Sequence, residues 1–239
     1  MTLLVLGASS DMGVALIEYV AEKYDVIIAH YCHMNDNLQK LKEKYYEKIV
    51  LLQADLSSDE DTKQFVSYVS EIEPAPSHIV HFPAQQIKVQ KFVKTEWNVF
   101  EKGIHISIKS LIMVLQAVIP KMVKKKHGRI VIMLSDAIVG VPPKYSADYV
   151  MIKYSLLGLV KTLAIEYADK GITVNGVSPA FTETKFIEGM AEYFKEEHKN
   201  NSPIGRNLVP QDIIPAIAML LSEEASCING QNIPINCGR

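Results

Sequence analysis

The chain has 239 residues, 48% hydrophobic and 22% charged, which is enough for one large buried core. Lys and Arg number 25 against 27 Asp and Glu, so a formal charge of −2 gives no sign of a nucleic-acid or membrane-surface partner. Cys32, Cys227 and Cys237 are odd in number and lack metal-ligand spacing; they read as reduced thiols of a cytoplasmic protein that holds no metal.

The N-terminus lacks the basic region of a signal peptide, and residues 111–120 form an uncharged aliphatic stretch too short to cross a bilayer. Residues 3–6 are an apolar run, followed by the small-residue turn Gly7, Ala8, Ser9, Ser10, Asp11, Met12 and Gly13. Residues 14–23 then have helical patterning. A strand, a glycine-bearing turn and a helix make a phosphate cradle, because backbone N–H groups and the helix N-terminus face the turn. Ser9 and Ser10 add hydroxyl donors.

Residues 25–30 are the second strand, and its end carries His30 and Tyr31. An acidic residue there would hold a ribose 2′-hydroxyl and repel a 2′-phosphate. With no carboxylate present, NADP is preferred over NAD. Residues 48–54 are a third strand ending in Asp55 and Leu56, where Asp55 either accepts from an adenine amino group or caps the helix that starts near Asp59.

Residues 77–82 give a fourth strand that runs into His81, Phe82, Pro83 and Ala84. A helix is expected over 97–124, a fifth strand over 128–135, and a long helix over 147–168 closed by Gly171. A sixth strand covers 172–177. Residues 185–208 form a polar excursion of the kind that serves as a lid. A last helix covers 210–221 and a last strand 231–236, placed at a sheet edge by Pro234. Strands alternate with helices throughout, so the fold class is α/β: one Rossmann-like domain over 1–239, a doubly wound parallel sheet of about seven strands with helices on both faces.

The chemistry is expected where the fifth strand meets the long helix. The strand delivers Ser135, and Tyr149 and Lys153 stand i,i+4 on one helical face. An ammonium near a phenol favours the phenolate and lowers its pKa, while a serine hydroxyl can hydrogen-bond a carbonyl oxygen as charge builds on it. These parts suit hydride transfer to a ketone: Ser135 polarises, Tyr149 protonates and Lys153 tunes Tyr149.

The long helix has a second feature. Val150, Ile152, Leu156, Leu157, Leu159, Val160, Leu163 and Ile165 surround more than one face, whereas a helix covering a sheet on one side should be polar outside. A homodimer or homotetramer through residues 147–168 and 104–118 is therefore expected.

Taken together, the parts resemble the short-chain dehydrogenase/reductase family in its compact single-domain branch, over nearly the whole chain. The matching pieces are Gly7 to Gly13, Asp55-Leu56, Pro120 to Met122, Gly128 to Val131, Ser135, Tyr149 with Lys153, Gly171 to Asn175, Ser178-Pro179 through Thr184, and Ile228 to Gln231. By eye the relatives are 3-oxoacyl-acyl-carrier-protein reductases, in which two basic positions that meet the acidic carrier correspond to Lys126 and Lys170. The resemblance implies that Lys153 holds ribose hydroxyls and that Pro179, Thr182 and Thr184 meet the nicotinamide or pyrophosphate.

Several positions depart from that pattern. Asp11 replaces the middle glycine of the turn, Leu6 a threonine, His81 to Ala84 an Asn-Asn-Ala-Gly run, and Ala180 a glycine. Ser107 falls where the family's helical asparagine supports a proton-relay water. Asp can adopt a left-handed backbone at modest cost, which lets the turn survive, but its carboxylate is unwelcome beside a pyrophosphate. The departures motivate an alternative, a non-catalytic member acting through its oligomer surface; a sugar-nucleotide epimerase is disfavoured for want of a second domain.

Overall fold

The computed structural model describes residues 1–238, and its apolar runs become seven parallel strands. They are β1 (Thr2–Leu6), β2 (Val26–Tyr31), β3 (Ile49–Gln53), β4 (His78–His81), β5 (Gly128–Met133), β6 (Ile172–Pro179) and β7 (Asn232–Ile235). The sheet order is β3-β2-β1-β4-β5-β6-β7. β1, β4 and β5 are buried along their whole length, as strands covered on both faces must be. Strand order reverses between β1 and β4, so their connections part there and leave a crevice at the carboxyl edge.

Two helical layers close the sheet. On one face, α1 (Asp11–Val20), α2 (Asp36–Lys44) and α8 (Pro210–Leu220) insert Leu16, Ile17, Leu38, Leu41, Ile213 and Ile217 against Leu3, Val5 and Val80. On the other, α3 (Asp59–Glu71), α5 (Ser110–Lys125) and α6 (Ala147–Glu166) insert Phe65, Val69, Leu111, Val118, Ile152 and Leu156 against Leu4, Leu6 and Ile132. Pro234 lies in β7, the edge strand, where its missing N–H costs no ladder bond.

Three details differ from the sequence expectation. The helix over 97–124 is divided: α4 (Trp97–Ile104) passes through a π turn at His105–Lys109 into α5. A Cβ on Gly103 would come within 2.5 Å of Ile152 Cδ1, so the bare glycine lets α4 close on α6 just before that turn. Within the turn, Ser110 Oγ donates back to the Ile106 carbonyl at 2.6 Å. Gly171 does not cap α6, which ends at Glu166 with Tyr167 as its cap; it closes a following 3₁₀ turn at φ +71, where a Cβ would sit 2.3 Å from the Lys126 carbonyl oxygen. The polar excursion contains its own helix, α7 (Glu192–Asn200), and its base is stapled by Glu183 N–H to Leu208 O and Leu208 N–H to Phe181 O.

By length and composition the helical run Trp97–Lys125 could cross a membrane, but one side of it is packed into the core through Leu111, Val114 and Val118.

Candidate active site

The glycine turn leaves β1 at the crevice. Gly7 holds φ +79, a conformation open to glycine. A Cβ on Gly13 would stand 2.5 Å from Gly7 O and 2.7 Å from Ala8 Cα, so the helix can approach the turn this closely only without a side chain. Ser10 is the N-cap of α1: its Oγ accepts from Gly13 N–H at 3.0 Å and donates to Gly7 O at 2.7 Å. The hydroxyl expected as a phosphate donor is thus spent on the cap. Ser9 offers its carbonyl to Asn35 Nδ2 at 2.6 Å, which fixes the turn against the start of α2. Met12 packs on the core beneath.

Asp11 corrects an expectation. It is the first helical residue of α1 and does not have positive φ. Its Oδ2 accepts the backbone N–H of Lys185 at 2.6 Å, so the carboxylate reaches across the crevice to the segment after Thr184.

His30 is also corrected. It is 2% exposed and does not face the crevice. Its Nδ1 accepts from Gly7 N–H at 3.1 Å and its Nε2 donates to Ala54 O at 3.1 Å, which ties three strand ends together. Burial drives its pKa down to about 4, so the ring is neutral. The end of β2 is left to half-buried Tyr31 and to the loop at Cys32.

Asp55 is not a helix cap; Ser58 takes that place on α3. Asp55 Oδ1 accepts from Ser57 N–H at 2.8 Å and Ser57 Oγ at 2.7 Å, and these bonds hold its pKa below the usual carboxylate range. Leu56 is a core residue, 5% exposed, so only its backbone can meet a ligand. Ala84 follows Pro83, and a Cβ on Gly7 would lie 3.4 Å from Pro83 Cδ, which places this loop over the glycine turn.

β5 and α6 bring the expected trio together. Ser135 follows β5, and its Oγ accepts from Ala137 N–H at 3.2 Å. The phenol of half-buried Tyr149 lies within hydrogen-bonding reach of Ser135. Lys153 is 2% exposed, donates to Met133 O at 2.8 Å, and stands 5.6 Å from the Tyr149 ring centroid.

The electrostatics differ from the expectation. Burial raises the Tyr149 pKa above its ordinary value, the Ser135 hydrogen bond pulls it partway back, and no lowering by Lys153 is resolved. Lys153 is itself lowered to about 8 by burial. The lysine therefore keeps its charge at neutral pH and loses it above about pH 8, and the phenol is neutral over the ordinary pH range.

Beyond β6, Pro179 ends the strand, Thr182 Oγ1 donates to Ala180 O at 2.8 Å, and Thr184 precedes a short turn at Lys185–Ile187. Phe186 on that turn sets its ring centroid 6.2 Å from that of Tyr149. The lid segment therefore touches the glycine turn through Lys185 and the tyrosine through Phe186.

Ser107 carries the expectation of supporting a proton-relay water; His81 and a cluster at the far edge of the sheet carry none from the sequence. His81 and Ser107 are 0% and 1% exposed, on elements facing Lys153, and carry buried polar atoms without a side-chain partner among the described residues. The signal was the departure of both positions from the family pattern. At the opposite edge of the sheet, ligand atoms of His78, His127 and Glu223 lie within 4.8 Å of one another, with Glu223 already bonded to Arg129 at 2.9 Å.

Lys126 and Lys170 also lie at that opposite edge, just before β5 and β6 begin. Lys126 caps α5 and Lys170 pairs with Asp169 at 2.6 Å.

A family model described as enoyl-(acyl carrier protein) reductase matches residues 7–239. A 3-oxoacyl-[acyl-carrier-protein] reductase of Rickettsia prowazekii is 28% identical over 99% of this chain and 95% of its own. An uncharacterized oxidoreductase, YmfI of Bacillus subtilis, is 30% identical over 99% of this chain and 98% of its own. Among solved structures, levodione reductase superposes with TM-score 0.89 at 21% identity over 99% and 96% of the two chains, and ElxO with NADP bound with 0.86 at 22% over 99% and 97%.

Proposed function

Because the chain belongs to the short-chain dehydrogenase/reductase family, whose members carry out NAD(P)-dependent redox chemistry, we propose that it reduces the ketone of a 3-oxoacyl thioester with NADPH. The observation that carries this reading is the meeting of Ser135 and Tyr149 at one point of the crevice, with Lys153 behind them. The family description names an enoyl reductase, while the Rickettsia relative is a 3-oxoacyl reductase. Two hydroxyls converging on one locus suit a carbonyl oxygen, which needs a hydrogen bond and then a proton at the same atom.

The residues fit a dinucleotide. The left-handed Gly7 and the side-chain-free contact at Gly13 leave backbone where a pyrophosphate would approach. Gly7, Ser9 and the first amides of α1 at Asp11 and Met12 would hold it, Asp55 and the Leu56 backbone the adenine, and Tyr31 with its following loop the adenosine ribose. Ala84, Lys153, Pro179, Thr182 and Thr184 would line the nicotinamide end. NADPH is favoured over NADH because β2 ends in Tyr31, followed by Cys32, without a carboxylate, and a protein of the same fold, ElxO, has been solved with NADP bound.

When bound, the nicotinamide supplies the hydride. Ser135 Oγ donates a hydrogen bond to the substrate oxygen and orients the carbonyl. Tyr149, kept neutral by burial, gives its proton to that oxygen as negative charge develops. Lys153 holds position through Met133 O and supplies positive charge to the phenolate left behind. Phe186, against the Tyr149 ring, excludes water from that side.

We also propose a homodimer or homotetramer through α4, α5 and α6. Tyr154 and Ile165 on α6 are exposed at 47% and 83%, and Trp97 on α4 at 67%.

The test is NADPH oxidation with acetoacetyl-CoA, with simple ketones in parallel. Tyr149→Phe should lose about 10²- to 10⁴-fold in kcat, the usual worth of a positioned acid, while NADPH binding by fluorescence stays within about threefold. Undiminished turnover in Tyr149→Phe removes this assignment of roles.

A further inference from the structure

Cysteine spacing in the sequence gives no metal site, but the fold brings a different donor set together at the amino edge of the sheet. Its members come from three segments far apart in the chain. His78 opens β4, His127 sits in the turn between α5 and β5, and Glu223 begins the 3₁₀ turn after α8. Each offers one ligand atom, and the three atoms lie within 4.8 Å of one another.

Strand geometry sets the buried member. His78 stands in register with Leu3 of β1 and Arg129 of β5, and Leu3 and Val80 both pack under α1 and α8. Alternation along the strand turns His78 toward that same layer, beside the end of α8. It is 1% exposed, and the Leu221 carbonyl accepts a hydrogen bond from its ring. The Tyr24 ring meets it edge-on at 5.4 Å between centroids, and the His127 ring at 5.3 Å. Glu223 has an oxygen to spare: Oε2 accepts from Arg129 Nη2 at 2.9 Å, while Oε1 lies 3.7 Å from His127 Nε2.

Two imidazoles and a carboxylate are a donor set for a divalent transition ion. Zinc binds nitrogen at about 2.0–2.1 Å in a tetrahedron, which puts ligand atoms roughly 3.4 Å apart. The Glu223–His127 separation is near that value, and the remaining closure falls to those two side chains, 67% and 29% exposed, while His78 stays fixed. The Leu221 carbonyl supplies the outer hydrogen bond that orients a ligating imidazole. Ser77 Oγ, 2.9 Å from His78 Nδ1, also donates to Thr2 O at 3.4 Å, so the ring can release it without stranding the hydroxyl. Magnesium and calcium seek all-oxygen shells and do not suit the set. Arg129 places a like charge beside the ion, which makes the site weaker than a closed four-ligand centre.

We propose that His78, His127 and Glu223 form a zinc site that fastens the segment after α8 to the sheet, with solvent in the fourth position. The site lies at the edge opposite the Tyr149 crevice, so its role is structural and it is independent of the reductase reading. The ion joins the start of β4, the turn into β5 and the end of α8. Because α8 packs on α1, the helix that starts at the glycine turn, an ion at its far end limits how that pair shifts on the sheet.

The test strips the full-length protein with a chelator and adds zinc chloride. Calorimetric titration should show one zinc per chain, and zinc at ten times its Kd should raise Tm by about 3–6 °C, with no shift from magnesium. His127→Gln should weaken zinc binding by at least about tenfold and remove the shift. If His127→Gln does not fold, Glu223→Gln carries the same comparison. The rival ligands are Cys32 and His33, whose Sγ and Nε2 lie 3.6 Å apart. A Cys32→Ser, His33→Gln double variant should bind zinc as the wild type does, and cobalt(II) in place of zinc should show no thiolate charge-transfer band. No zinc binding by the wild type, a thiolate band, or a shift that survives His127→Gln and is lost in the double variant overturns the inference. None of these measurements reads NADPH oxidation, so a failure of the reductase reading leaves them intact.

Discussion

Asp11 and Lys185 are 174 positions apart, yet the Asp11 carboxylate accepts the Lys185 backbone N–H at 2.6 Å. That bond ties the start of α1 to the lid segment and puts a negative charge at the helix end where a pyrophosphate would be held. A carboxylate there is favourable to the helix and unfavourable to a second anion. Asp11→Asn should therefore tighten NADPH binding, by roughly threefold to tenfold, for about 1 kcal/mol of relieved repulsion. Asp11→Ala should also free the lid, seen as faster limited proteolysis within 185–208. Unchanged Kd and unchanged cleavage in both variants would show that the contact couples nothing.

Three buried histidines give the fold an acid limit. Burial lowers His30 to about 4 and His78 and His81 to about 3, against roughly 6.5 in the unfolded chain. The unfolded chain thus binds more protons between those values, so stability is fully present above about pH 6.5 and falls as pH drops through that window. At pH 5 each histidine costs on the order of 2 kcal/mol relative to pH 7.5. Urea midpoints measured at the two pH values should differ accordingly, and a flat profile would contradict buried neutral rings. Lys153 acts in the same direction on the alkaline side: its lowered folded pKa makes stability rise with pH from about 8 to the unfolded value.

Ile165 is 83% exposed on a helix that is apolar beyond its sheet-facing side. Ile165→Glu should weaken the proposed subunit contact, reducing the mass seen by light scattering at micromolar concentration. A wild-type protein that is monomeric at those concentrations removes the proposal.

Gly13→Ala places a methyl 2.5 Å from Gly7 O, backbone that cannot move without opening the α1 contact. The expected loss is roughly 1–3 kcal/mol in thermal or chemical unfolding, together with weakened NADPH binding. A neutral substitution would mean that the turn is looser than its packing indicates.

The order of strands and helices was legible in the sequence because apolar runs, helical patterning and glycine or proline breaks are local signals. Ser135, Tyr149 and Lys153 were legible for a related reason. The strand end and one helical face place them by short-range geometry, which holds whenever β5 and α6 form. The π turn at Ser107 and the true cap at Tyr167 were not legible, since each depends on how a helix meets its neighbour across the core.

The sequence by itself determined the parallel α/β architecture, the glycine turn and which three side chains, Ser135, Tyr149 and Lys153, the candidate site would bring together. Only tertiary structure decided what surrounds them. His30 became a brace because two strand ends converge on its ring, and Asp11 met Lys185 because β6 returns beside β5 and sends its loop back over the crevice. The acidity of Tyr149 and Lys153 followed from burial, a property of the packed chain that no local spacing encodes.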